Sequence, residues 1–367
     1  MNKNTVFVNP AEIYHFPCGW CNVALSMINH DSIPPLDVLS LKLQQLFDID
    51  KITGMHLLSG GHLCKNFILK SPEKKYFLKQ YRHKVSQTVH QIKHAEQYFS
   101  DQGIPVVLPI KDVHGRAAFF VDHNWYSLFP FWSNPPKDVR DLDDNALCLL
   151  GEFLARIHEA GKDVGREIQP VLLWDRERFF LEVKELELVL EQQPVLSKVE
   201  RQIKSLLKIK REFVESNTLD IHDFDLPYDT IIHCDFSYQN VFFSEDGLKI
   251  EAVFDFEKAS IGPRAFEVAR SMFVCCFDDG WEQRNIDQAI VFISAYIQKQ
   301  PLSLGEFQQG VKMYLVNLAH QTWVEAKVLL KNSVNYIDLL EAHERRITHL
   351  PDDMDAFAKD IYEKAQK

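Results

Sequence analysis

The segment Ile231-Ile232-His233-Cys234-Asp235-Phe236-Ser237-Tyr238-Gln239-Asn240 runs from an apolar strand into His-x-Asp, with an Asn five positions after that Asp. Val253-Phe254-Asp255-Phe256-Glu257 supplies a second aspartate downstream. Two carboxylates and an amide oxygen suit Mg²⁺, a hard cation that takes oxygen ligands and shares them with substrate phosphates. The carboxylate left over can accept or orient the proton of an attacking hydroxyl. Asp235, Asn240 and Asp255 taken singly read as turn, cap or strand-end residues. Together, after an apolar strand, they read as a site.

A second set lies upstream. Phe77, Lys79 and Tyr81 share one face of a strand over Tyr76–Tyr81, so Lys79 points where bulky apolar groups point. Val89, Ile92, Glu96 and Phe99 fall on one stripe of the following helix, which puts Glu96 where an unpaired charge is costly. A Lys79–Glu96 pair resolves both problems, either as a structural salt bridge or as a Lys that grips nucleotide phosphates and a Glu that holds it in place. Gly60 and Gly61 precede these strands. They fit a plain hairpin turn, or a loop whose N–H groups approach phosphate oxygens.

The elements that must position these residues follow from pattern and punctuation. A helix is expected over about 36–48, strands over Met55–Leu58, Cys64–Lys70 and Tyr76–Tyr81, and a helix over about 86–102 that stops at Gly103 and Pro105. More strands are expected over about 106–111 and 116–129. Beyond the Pro130 and Asn134-Pro135-Pro136 punctuation the pattern is helical, with stretches over about 175–216 and 281–345. The turn Ser244-Glu245-Asp246-Gly247 folds Val241–Phe243 against Leu248–Phe256, which returns Asp255 to the end where Asn240 sits. Alternation over Leu248–Phe256 puts Asp255 on the face opposite Ile250, Ala252 and Phe254. The organisation expected is an extension over 1–35, a β-rich first lobe over 36–130 and a helical second lobe over 131–367.

Composition narrows the class. At 367 residues with 46% hydrophobic and 25% charged residues, the chain can bury an ordinary core. A net charge of -11 argues against a nucleic-acid footprint. The chain has no apolar run long enough to cross a membrane and no secretory h-region, and its seven cysteines are an odd, scattered set. A cytoplasmic protein with reduced thiols is expected. Cys18 and Cys21 have redox-motif spacing, but without a preceding strand or a second pair they read as ordinary thiols.

The order Gly-Gly loop, strand Lys, helix Glu, His-x-Asp-x4-Asn and Asp-Phe-Glu resembles the aminoglycoside phosphotransferase/choline kinase superfamily over about 52–275. Leu149–His158 is similar to that family's long second-lobe helix. The resemblance implies an α+β, protein-kinase-like two-lobed fold and transfer of phosphate from ATP, with Mg²⁺, to a small-molecule hydroxyl. It implies Asp235 as catalytic base, Asn240 and Asp255 as metal ligands, and Gly60, Gly61, Lys79 and Glu96 at the nucleotide, with adenine against the backbone of Leu128 and Phe129. The chain departs from the family's usual His-Gly-Asp at Cys234, and from its Asp-Leu-Ala at Glu267-Val268-Ala269. His233 reads as a residue that holds the loop. Asp278, Asp279 and Glu325 are candidates to face a cationic acceptor, and Glu257 either assists a metal or faces solvent. A catalytically silent scaffold is an alternative that has no need of all five charged or metal-binding groups. A protein kinase is disfavoured by the missing Asp-Phe-Gly and Ala-Pro-Glu elements.

Overall fold

The computed structural model describes residues 33–58, 64–82, 84–133, 137–138, 141–162, 168–277, 281, 285–331 and 333–367. The expectations for Cys18, Cys21, Gly60, Gly61, Asp278 and Asp279 lie outside the described residues. The chain forms two compact units. One comprises residues 1–94 and 108–132, the other residues 95–107 and 133–367.

The first unit starts with helix α1 (Leu36–Phe47) and continues through strands β1 (Gly54–Leu57), β2 (Cys64–Lys70) and β3 (Lys75–Tyr81). Helix α2 (Ser86–Asp101) gives this unit its residues up to His94. Strands β4 (Phe119–Val121) and β5 (Asn124–Pro130) complete an antiparallel sheet of order β1-β2-β3-β5-β4. The apolar stripe Leu39, Leu43, Leu46 and Phe47 of α1 packs on Phe67, Leu69, Leu78, Tyr126 and Leu128 of the sheet. Tyr81 packs on the other side with Val89 and Ile92 of α2. The expected strand over 116–129 is in fact a hairpin. Asp122 and His123 have φ of 46° and 62°, and this left-handed pair closes a two-residue turn between Val121 and Asn124. The strand expected over 106–111 does not form. Pro105 and Pro109 carry no N–H to donate, and only the single bridge Val106↔Val253 is made.

The second unit is mainly helical. It holds α3 (Asp144–Ala160), α4 (Arg176–Glu191), α5 (Lys198–Ser216), β6 (Thr230–Ile232), β7 (Val241–Phe243), β8 (Ile250–Val253), β9 (Ser260–Gly262), α6 (Arg264–Cys276) and α7 (Ile286–Lys299). Then come α8 (Leu304–Ala319), α9 (Trp323–Lys331), α10 (Ile337–Thr348) and α11 (Met354–Ala365). The helical stretch expected over 281–345 is cut by Pro301, after which Ser303 and Glu306 form a reciprocal capping box that starts α8. α6 packs closely on α8 at Gly310, where a β-carbon would overlap the carbonyl of Ala265. Strands β7 and β8 pair as expected, Val241 opposite Val253. Extended structure stops at Val253, however, because Asp255 adopts a left-handed conformation with φ 70°. The alternation expected to Phe256 is therefore broken, and Ala252 and Val253 are both buried. No described helix is long and apolar enough to cross a membrane.

Candidate active site

The site is built on the loop that leaves β6. The backbone N–H of His233 donates to Glu267 Oε2 at 2.8 Å. Its ring Nδ1 accepts the N–H of Asp235 at 3.2 Å, so the ring proton sits on Nε2 and is donated to the Phe254 carbonyl at 2.9 Å. One imidazole thus ties Asp235 to the residue preceding Asp255, the loop-holding role expected of His233. Cys234 bends the loop with φ 61°. That is a conformation glycine adopts without strain, and a side chain there costs about 1–2 kcal/mol. Burial pushes the Cys234 thiol well above its usual value, so it stays protonated.

Asn240 closes the loop. Its Nδ2 donates to the Asp235 carbonyl at 2.9 Å and its own carbonyl accepts the Phe254 N–H at 2.9 Å. With the amide nitrogen committed, Oδ1 is the atom left to act as a ligand. Asp255 stands next along the chain, at the head of a single 3-10 turn over Phe256–Lys258. Short local bonds thus tie Asp235 and Asn240 to Phe254, the residue that precedes Asp255. Glu257 is 9% exposed and does not face solvent.

The carboxylate of Asp235 has two cationic partners that sequence reasoning missed. Arg270 of α6 donates from Nη2 to Oδ1, and Lys258 donates to Oδ2 at 3.0 Å. Burial works against the charged form, yet the Lys258 ammonium and the Arg270 guanidinium hold the Asp235 carboxyl well below the usual carboxylate range. Arg270 Nη1 also reaches the Phe236 carbonyl at 3.2 Å, which Ser271 Oγ caps at 3.0 Å. Glu267, Arg270 and Ser271 thus bind the loop from consecutive turns of α6. Polar residues at i, i+3 and i+4 in an otherwise apolar buried helix were the signal that could have found them.

Glu267 is itself held by α3. His158 Nε2 lies 3.0 Å from Glu267 Oε2, and His158 Nδ1 lies 2.8 Å from the Tyr296 hydroxyl. Burial pushes the His158 imidazole below its usual value, against the pull of Glu267. Burial also opposes charge on Glu267, but the His158 ring and the His233 N–H hold its carboxyl below the usual range. The pair is therefore a neutral ring donating to a carboxylate, with Tyr296 donating to Nδ1.

The remaining expected residues are placed as follows. Lys79 is in the first unit and 3% exposed, on β3 directly opposite Asn66 of β2. Asn66 Oδ1 is buried and has no hydrogen-bond partner among the described residues. Glu96 is in the second unit and is also buried. Leu128 and Phe129 lie inside β5, and the Leu128 carbonyl already accepts the Ile110 N–H at 2.7 Å. Glu325 does not face an acceptor. It is fully buried and paired with Lys210.

This loop and its flanking hairpin fall within residues 55–297, which match the model of the phosphotransferase enzyme family. The chain belongs to that family. No curated protein sequence matches it. Among solved structures, a spectinomycin phosphotransferase crystallised with ADP and spectinomycin is similar with a TM-score of 0.61 and 16% identity, covering 89% of this chain and 98% of its own. An amicoumacin kinase in complex with AMP-PNP, Ca²⁺ and its ligand gives 0.60 and 13%, covering 88% and 96%. A microcompartment-associated aminopropanol kinase gives 0.58 and 13%, covering 90% and 98%. The phosphotransferase fold, a β-sheet lobe and a helical lobe, is the one the resemblance implied. In this phosphotransferase Cys234, which stands where the resemblance expects the glycine of His-Gly-Asp, has a left-handed backbone.

Proposed function

We propose that this phosphotransferase moves the terminal phosphoryl group of ATP, with Mg²⁺, to a hydroxyl of a small molecule such as an amino alcohol, a sugar or an aminoglycoside-like acceptor. The observation that carries the reading is the locking of Asp235, Asn240 and Asp255 into one loop–hairpin unit by His233 and the Asn240 amide. Family membership and the small molecules named for the similar structures support it.

The donor set fits the metal. Among the described residues no three His, Cys, Asp or Glu side chains gather into a closed metal site. The Asn240 amide oxygen and the Asp255 carboxylate are donors of the kind Mg²⁺ takes, and they would hold it together with substrate phosphate. When bound there, the ion neutralises phosphate charge. The nucleotide role is assigned to Lys79, with Glu96, Gly60 and Gly61 as the resemblance implies, and the unpartnered Asn66 Oδ1 beside Lys79 marks a polar spot suited to a ligand or ordered water. Of the adenine contacts, the Leu128 carbonyl is already bonded to the Ile110 N–H, and Phe129 stands in register with Phe77 of β3.

Asp235 receives the acceptor hydroxyl. The acceptor oxygen forms the new P–O bond as the bond to the leaving oxygen of ADP breaks, and the hydroxyl proton passes to Asp235. In a loose transition state the carboxylate orients the hydroxyl and takes its proton late. The test is ATP consumption by the purified protein with Mg²⁺ over a panel of amino alcohols, sugars and aminoglycosides. Asp235→Ala should lose turnover while Mg-ATP still raises the melting temperature. Unchanged turnover in that variant would sink the mechanism.

A further inference from the structure

The two cations on Asp235 are not equivalent. Arg270 is 18% exposed, is carried on a packed helix, and divides its donors between Asp235 and the Phe236 carbonyl. Lys258 is 41% exposed, and its ammonium has a single partner among the described residues, Asp235 Oδ2. It sits at the end of the short turn that Asp255 begins. A fork held at two points is a fixed clamp, whereas a point charge on a flexible stem can transfer between anions at little cost.

We infer that Lys258 is a displaceable counter-ion of Asp235, which leaves the carboxylate when a nucleoside triphosphate binds and pairs with the phosphoryl group being transferred. The inference rests on the reading of Asp235, Asn240 and Asp255 as the phosphoryl-transfer centre. In the unloaded site each oxygen of the Asp235 carboxylate carries a cation, and Oδ2 is the oxygen whose cation can move. Departure of Lys258 opens Oδ2 to the acceptor hydroxyl. The same movement brings positive charge to the equatorial phosphate oxygens while negative charge passes to the leaving oxygen of ADP. Arg270 stays in place as a positioning residue that fixes Oδ1.

Calorimetric titration with Mg-AMP-PNP and with Mg-ADP tests this without knowledge of the acceptor. Lys258→Met should weaken AMP-PNP binding about tenfold relative to ADP binding, and Lys258→Arg should restore most of that ratio. A Lys258→Met ratio within about twofold of wild type would overturn the inference while leaving the phosphotransferase site intact. Wild-type protein that binds neither nucleotide would overturn the site reading itself, and with it the role of Lys258. With any acceptor found in the screen, Lys258→Met should lower kcat far more than it changes the acceptor KM. An equal change in both would count against a role at the transferring group.

Discussion

Glu325 and Asp235, two of the acidic side chains of the helical unit that are paired with cations, sit in opposite surroundings. Glu325 of α9 meets Lys210 of α5 with both side chains fully buried, and Lys210 also donates to the Gln321 carbonyl at 2.6 Å. Asp235 meets Arg270 and Lys258 at a loop where its side chain keeps 24% of its exposure. The pairing chemistry is the same. Solvent access separates them: a sealed pair cannot admit a substrate oxygen, and an open pair with one movable cation can. Position in the packing, more than charge, separates the carboxylate proposed to work from the one that is sealed.

The largest test of that contrast exchanges the two defects. Asp235→Asn should lower turnover by about 10²–10⁴-fold and shift the melting temperature by a few degrees at most. Glu325→Gln should leave turnover per folded molecule unchanged and destabilise by about 3–5 kcal/mol in urea unfolding, because Lys210 is left buried without its counter-charge. A stable Glu325→Gln variant, or an active Asp235→Asn variant, would collapse the distinction.

A smaller effect is expected at the support of the open pair. Gly310→Ala should force α8 away from α6, the helix that carries Glu267, Arg270 and Ser271, and cost about 1–3 kcal/mol. If the loop depends on that seat, turnover should fall with stability. Loss of stability alone would show that the loop holds its shape without α8.

The smallest effect is on pH. Burial keeps His158 neutral in the folded protein, with a folded value below that of the unfolded chain. Below about pH 6.5 the unfolded state therefore binds the proton more readily, so stability is fully present above that pH and declines as pH falls toward the folded value. The melting temperature should drop between pH 7.5 and pH 5, and His158→Gln should flatten that slope. A slope unchanged by His158→Gln would remove the ring from the account.

Part of this was legible in the chain because it is local. Cys64–Lys70 forms the strand its pattern predicts, and Val241–Phe243 pairs with Ile250–Val253 across the Glu-Asp-Gly turn, so Asn240 is bonded to Phe254, the residue before Asp255. The break at Asp255 was not legible. Its left-handed φ is imposed where the strand gives way to a turn, and alternation alone continues the strand through it. The hairpin turn at Asp122 and His123 was missed for a related reason, since neither is the glycine that usually advertises such a turn.

The sequence by itself determined the family and the mixed α+β fold, and it pointed to Asp235, Asn240 and Asp255 as the residues proposed for phosphoryl transfer. These are written in residue type, hydrophobic period and short-range spacing. The tertiary structure alone decided what surrounds Asp235. Arg270 lies 35 residues along the chain, and His158 reaches Glu267 across 109. No spacing rule links residues so far apart. They meet because apolar faces of α3, α6 and α8 must be buried together, and the polar groups carried inward on those faces must then find partners.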